Sequence, residues 1–189
     1  MSQTDLTKRK KLPDAVRVLM AEYPREGWPD DPGFAGLVQF WLDRHLMFRR
    51  LMDEMGSATE ALLDRKIDNN RYAGVLSRYG GMFVNGLHEH HTIEDRYYFP
   101  KLQAKDKRVA RGFEILDKDH HALDGLLADF VGGANSVIHT SADPAKLHEA
   151  AGGFQKELRK LEKLLDRHLV DEEELVVPVI LKYGSAGLG

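Results

Sequence analysis

His88-Glu89-His90-His91-Thr92-Ile93-Glu94-Asp95-Arg96-Tyr97-Tyr98-Phe99-Pro100 is the stretch on which the fold turns. His90 and Glu94 stand four residues apart, and Pro100 follows the glutamate by six. The same spacing recurs as His168, Glu172 and Pro178. On a helix, a four-residue step stacks both side chains on one face, roughly 6 Å apart. Each proline removes a backbone donor and crowds the preceding turn, so a kink or stop is expected there.

Working outward, apolar residues recur at 3,4 spacing almost without interruption, and sustained period-two alternation is absent. This predicts an all-α protein. Four long helices are expected: A over 32–55, opened by the Asp31 cap and Pro32; B over 70–99; C over 106–131, closed by Gly132-Gly133; and D over 144–183, opened by Asp143 and Pro144. A short helical piece over 58–66 links A to B, and 132–142 is the longest loop. Residues 1–31 read as an N-terminal extension with a weak amphipathic segment over 13–23. Residues 32–184 read as the helical domain and 185–189 as a tail.

Each helix carries an apolar seam of the kind that faces the centre of a bundle. Helix A presents Trp41, Phe48 and Met52, helix B Leu76, Phe83 and Leu87, helix C Phe113, Leu116 and Leu123, and helix D Leu158, Leu161 and Leu165. Ionisable residues break these seams at His45, His90, Glu94, His120, His168 and Glu172. An ionised carboxylate in such a seam is costly unless it is paired or coordinates a cation. One explanation covers all six: two pseudo-symmetric hairpins, A-B and C-D, meeting at a core metal pair, each glutamate bridging.

Composition narrows the chemistry. The 189 residues include nine histidines and no cysteine, with 27 basic against 30 acidic side chains, a net charge of −3. Without thiols there is no disulfide framework, iron–sulfur cluster or cysteine nucleophile, so a metal must be held by His, Asp or Glu. A near-neutral balance gives no basic face for nucleic acid, and no run approaches the roughly 20 apolar residues of a membrane span. The basic run Lys8-Arg9-Lys10-Lys11 is not followed by an apolar stretch, so no export signal is readable; it is expected to be solvated, and the protein cytoplasmic.

The run His90-His91-Thr92-Ile93-Glu94-Asp95 resembles the His-His-Glu signature of hemerythrin-like proteins, and the resemblance extends over about 150 residues from helix A to helix D. It implies an antiparallel up-down four-helix bundle around a non-haem di-iron centre, oxo- or hydroxo-bridged, that binds oxygen or another small ligand. Carried onto this chain, His45, His90, His120 and His168 become terminal ligands, and Glu94 and Glu172 bridges. In the oxygen-carrying members helix C supplies two histidines four apart, whereas here Asp124 stands four after His120. His91 is the replacement candidate, because some members place an additional ligand there.

Two octahedral irons offer about 12 positions. With two bridging carboxylates, a solvent-derived bridge and five histidines, one position stays open; without His91, at least two do. The first favours reversible binding, sensing or storage of an oxidant. The second favours an enzyme acting on peroxide or nitric oxide, and an iron-responsive regulatory module is a third reading. The nitrogen-rich set argues against a ferritin-like oxidase, which uses Glu-x-x-His pairs; zinc or manganese remains an alternative to iron.

Around these ligands, Asp95 and Glu173 are expected either to orient ligand histidines or to lie on solvated faces. Tyr97 and Tyr98 read equally as donors to a bound ligand or as interfacial aromatics. Trp41, Phe48, Phe83, Leu87 and Leu165 are expected to wall the site. His88 and His121 should face solvent, His139 and His148 carry no role, and Gly80, Gly81 and Gly86 suggest close helix packing.

Overall fold

The structure, a computed structural model, describes residues 4–188, and among these the regular elements are helical. Three short 3₁₀ turns, Asp14–Val16, Val18–Ala21 and Arg25–Asp30, precede five α-helices: α1 Leu37–Leu63, α2 Asn69–Ile93, α3 Phe99–Lys105, α4 Ala110–His139 and α5 Pro144–Tyr183. A five-residue π turn, Glu94–Tyr98, joins α2 to α3. The all-α helical-bundle expectation is met.

Several boundaries differ from the sequence reading, each for a local reason. Helix A starts five residues late. Asp31 accepts from the Gly33 amide (2.7 Å), the Phe34 amide returns to the Asp31 carbonyl, and Gly36 takes φ +83°, so the cap chemistry closes a turn rather than a helix. At its other end α1 runs straight through Gly56 and absorbs the expected linking piece; Arg65, at φ 59°, lies in the turn after it. Pro100 does not end helix B. It falls in the first turn of α3, where the missing donor is tolerated, and the π turn takes up the change of register.

Gly132-Gly133 does not end helix C either, which continues to His139 and shortens the loop to a few residues. A Cβ on Gly133 would sit 2.8 Å from the Phe154 ring, so the glycine permits close approach of α4 and α5. The α5 start is as read: Asp143 Oδ1 accepts from the Ala145 and Lys146 amides at 3.1 and 3.2 Å, and Pro144 leads the helix.

The chain forms two compact units. One comprises the described residues up to Leu46, His90–His121, and the chain from Asp166 onward. Its core packs Trp41, Phe99 and Phe113 against Val176 and Ile180 and takes in Leu12, Leu19 and Trp28 from the N-terminal segment. The other comprises Met47–Glu89 and Ala122–Leu165. Here Phe48, Phe83, Phe130 and Phe154 form an aromatic chain with centroids 5.4–6.3 Å apart. Tyr72 is fully buried with its hydroxyl 3.0 Å from Thr59.

Close packing explains one of the three glycines singled out in helix B. A Cβ on Gly86 would lie 3.3 Å from Phe48, but at Gly80 contacts begin at 3.7 Å and around Gly81 there is open space.

The basic run departs most from expectation. Lys8, Lys10 and Lys11 are exposed, but Arg9 is 7% exposed. Its guanidinium pairs with Asp119, and its Nε donates to Asp171 at 2.7 Å. Two buried carboxylates make that burial tolerable.

Candidate metal centre

All seven residues singled out in the sequence, His45, His90, His91, Glu94, His120, His168 and Glu172, are buried together in the first unit. Their ligand atoms fall into two clusters, each within 4.8 Å: His91, His120 and His168 in one, and His45, His90, Glu94 and Glu172 in the other. The division is not hairpin by hairpin. α1, α2, the π turn beginning at Glu94 and α5 supply the cluster of His45, His90, Glu94 and Glu172, and α2, α4 and α5 supply the three-histidine cluster.

Both glutamates reach across this division. Glu94 Oε1 lies 2.9 Å from His90 Nε2, and its Oε2 is 3.7 Å from His120 Nε2. Glu172 Oε2 is 3.5 Å from both His45 Nε2 and His168 Nε2. Its other oxygen, Oε1, accepts from the Trp41 indole N–H at 2.5 Å. Trp41 thus acts on the site through a specific donor, not merely as an apolar wall.

The histidines are fixed from behind. His45 Nδ1–H donates to Glu173 at 3.0 Å, His120 Nδ1–H to Asp95 at 2.7 Å, and His168 Nδ1–H to Asp119 at 3.4 Å. A carboxylate can only accept, so each of these nitrogens carries a proton and each Nε2 is directed inward. The inward Nε2 atoms lie in close pairs, 3.1 Å between His45 and His90 and 3.1 Å between His120 and His168. His91 stacks on His120 with centroids 3.9 Å apart. Asp95 and Glu173 therefore orient histidines of the two clusters rather than lying on solvated faces. Asp119 was not picked out in the sequence, although its position directly before His120 was the available signal.

Buried polar atoms without hydrogen-bond partners are rare, yet four gather here: His91 Nε2, both oxygens of Glu94, and Glu172 Oε2. Such a set of acceptors converging on one another is satisfied by cations. Each cluster could hold a metal ion.

Electrostatics agrees. Burial, reinforced by the neighbouring Glu172 charge, pushes Glu94 well above the usual carboxylate range. For Glu172 burial acts in the same direction, but His45 and His168 outweigh it and hold the group well below that range. Burial and the surrounding histidines push His90 and His91 well below the ordinary imidazole value, which favours the neutral form that a metal ligand needs. His168 goes the other way. Burial opposes its charge, but bonds to Asp119 and Glu172 raise it to about 9.

The remaining residues sort by exposure. His88, His121, His139 and His148 are exposed, as is Asp124, which stands where a second helix-C ligand would be. Tyr97 lies under the Lys101 ammonium, 3.5 Å from the ring centroid, while Tyr98 packs edge-on to Trp41 at 4.8 Å. A cavity of about 180 Å³, bounded by Phe40, Trp41, Arg44, Ile93 and Tyr98, has His90 and Glu94 in its wall.

Among the described residues no helix is long and apolar enough to cross a membrane. No curated protein and no solved structure matches the sequence. Residues 36–180 do match one family, the hemerythrin HHE cation binding domain, a span that takes in every residue of both clusters. With most of its length matched and its histidines and glutamates converging as a cation site, the chain belongs to the hemerythrin HHE cation-binding family.

Proposed function

We propose that the chain holds two iron ions and binds oxygen or a related small oxidant beside them, in binding, sensing or storage, as a cytoplasmic protein. One observation carries the reading: two buried clusters share two glutamates, each within 3.7 Å of a histidine in either cluster. Iron suits a donor set of imidazole and carboxylate, and a bound pair supplies redox-active centres able to take up oxygen.

The chain's own residues do the rest. Asp95, Asp119 and Glu173 fix the tautomers of three histidines, and the Trp41 N–H fixes one oxygen of Glu172. Phe40, Trp41, Ile93 and Tyr98 give the adjoining cavity a largely apolar wall, and its size admits a molecule of a few atoms. His91, buried and stacked within the three-histidine cluster, favours a single open position and hence reversible binding over turnover.

Metal analysis and an optical spectrum on protein made without a metal-affinity tag provide the test. Two irons per chain, with a spectrum that changes reversibly as oxygen is added and removed, are expected. Gas evolution from added peroxide, with no reversible spectrum, would instead favour the enzyme reading.

A further inference from the structure

The N-terminal segment places one arginine behind each metal cluster. Arg9 pairs with Asp119, the carboxylate that accepts from His168 Nδ1 in the three-histidine cluster. Arg25 Nη1 donates at 2.7 Å to Glu173, the carboxylate that accepts from His45 Nδ1 in the other. The segment is anchored independently as well: the Leu12 amide donates to Asp171 at 3.0 Å, and Arg167 reaches both Asp171 and the Lys10 carbonyl. Leu12, Val16, Leu19 and Trp28 bury their side chains in the same unit.

We propose that Arg9 and Arg25 are positioning residues for the metal centre, and that the segment carrying them is a clasp setting how tightly each cluster retains its metal. The physical route is short. A carboxylate behind a ligand imidazole fixes its orientation and raises its basicity. A guanidinium on that carboxylate locks its rotamer and offsets its charge. Both arginines precede residue 36, where the family match begins, so the device is separate from the ligand set. Arg17 provides the contrast: it pairs with Glu174, which among the described residues has no hydrogen bond to a ligand histidine.

The inference rests on the two-metal reading, and the experiment keeps the two apart. Full-length protein is loaded with Fe(II) without oxygen, its metal content is measured, and release to a chromogenic Fe(II) chelator is followed. The wild-type stoichiometry tests the two-metal reading; release from the variants tests the clasp. Arg25→Met is expected to speed release of about one equivalent roughly tenfold, as loss of a group supporting a ligand does. In a Glu173→Gln background, Arg25→Met should add little further. Arg9→Met should act on the other equivalent.

Arg9 is buried and its loss threatens folding, whereas the Arg25 side chain is 40% exposed, so the Arg25 variants carry the test alone if necessary. Arg17→Met serves as the structural control. Release from Arg25→Met indistinguishable from wild type and from Arg17→Met, or effects of Arg25→Met and Glu173→Gln that simply multiply, would overturn the clasp. A wild-type chain that takes up no metal removes the two-metal reading, and the clasp with it.

Discussion

His120 and His168 point their Nε2 atoms at each other across 3.1 Å, and each has its Nδ1 proton on a carboxylate, Asp95 and Asp119 respectively. Two lone pairs so arranged repel unless a cation or proton lies between them. Metal should therefore act as a folding ligand. Adding Fe(II) anaerobically is expected to raise the melting temperature, with about 2.7 kcal/mol gained once free metal reaches about a hundredfold of Kd. A melting temperature unmoved by metal or by chelator would contradict the site.

The shared glutamates make a sharper claim. Glu94→Ala and Glu172→Ala each remove the group common to both clusters, so metal content should fall from two to one or fewer per chain. Elemental analysis after desalting checks this, and two retained irons in either variant would refute the bridging assignment.

His91 separates metal binding from folding. Its Nε2 is buried without a hydrogen-bond partner, so His91→Leu relieves an unpaired polar atom in the metal-free chain and should leave its melting temperature equal or higher. The same substitution should lose the metal of the three-histidine cluster. If the variant keeps two tightly held metals, His91 is not a ligand.

Asp106 predicts the acid limb of stability. It accepts from the Arg108 amide and guanidinium and, at 2.9 Å, from the Tyr183 hydroxyl, tying the approach to α4 to the end of α5. The bond from Arg108 is the main reason its carboxyl is held well below the ordinary value. A lowered folded-state pKa stabilises above the unfolded value, near 3.9, and that contribution disappears as pH falls through the folded one. Asp106→Asn should therefore cost about 1 kcal/mol at pH 7, the net worth of one hydrogen bond, and progressively less below pH 4. Denaturant midpoints at both pH values measure it, and an equal loss at both would argue against the carboxylate's charge.

Two glycines on neighbouring helices should respond oppositely. Gly81→Ala meets open space inside α2 and should stabilise by up to about 1 kcal/mol. Gly133→Ala meets the buried Phe154 ring at 2.8 Å and should destabilise. Thermal melts of both variants decide, and two changes of the same sign would fault the packing argument.

The helices and the convergence of six side chains were legible because both depend on periodicity, which a single chain displays openly; His91 entered through the family resemblance. Arg9 was not. Its meaning lies in Asp119 and Asp171, 110 and 162 residues away, and nothing in Lys8-Arg9-Lys10-Lys11 distinguishes the one side chain that turns inward. Helix ends at glycine and proline misled for the opposite reason. Gly132-Gly133 and Pro100 carry strong local signals that tertiary packing overrode, while Gly36, with φ +83°, marked the true start of α1 more faithfully than Pro32.

The π turn at Glu94–Tyr98 has a consequence for how the chain can vary. An α-helix advances about 100° per residue, so one surplus residue gives the segments on either side separate angular settings. His90 and His91 can face the metal clusters while Phe99 and Leu102 face the apolar core, each set obeying its own phase. Removing a single residue from the turn would restore a regular helix and rotate one set away from its partners. At this one place length matters more than chemistry: many substitutions at the exposed Arg96 and Tyr97 should be accepted, and a one-residue deletion should not.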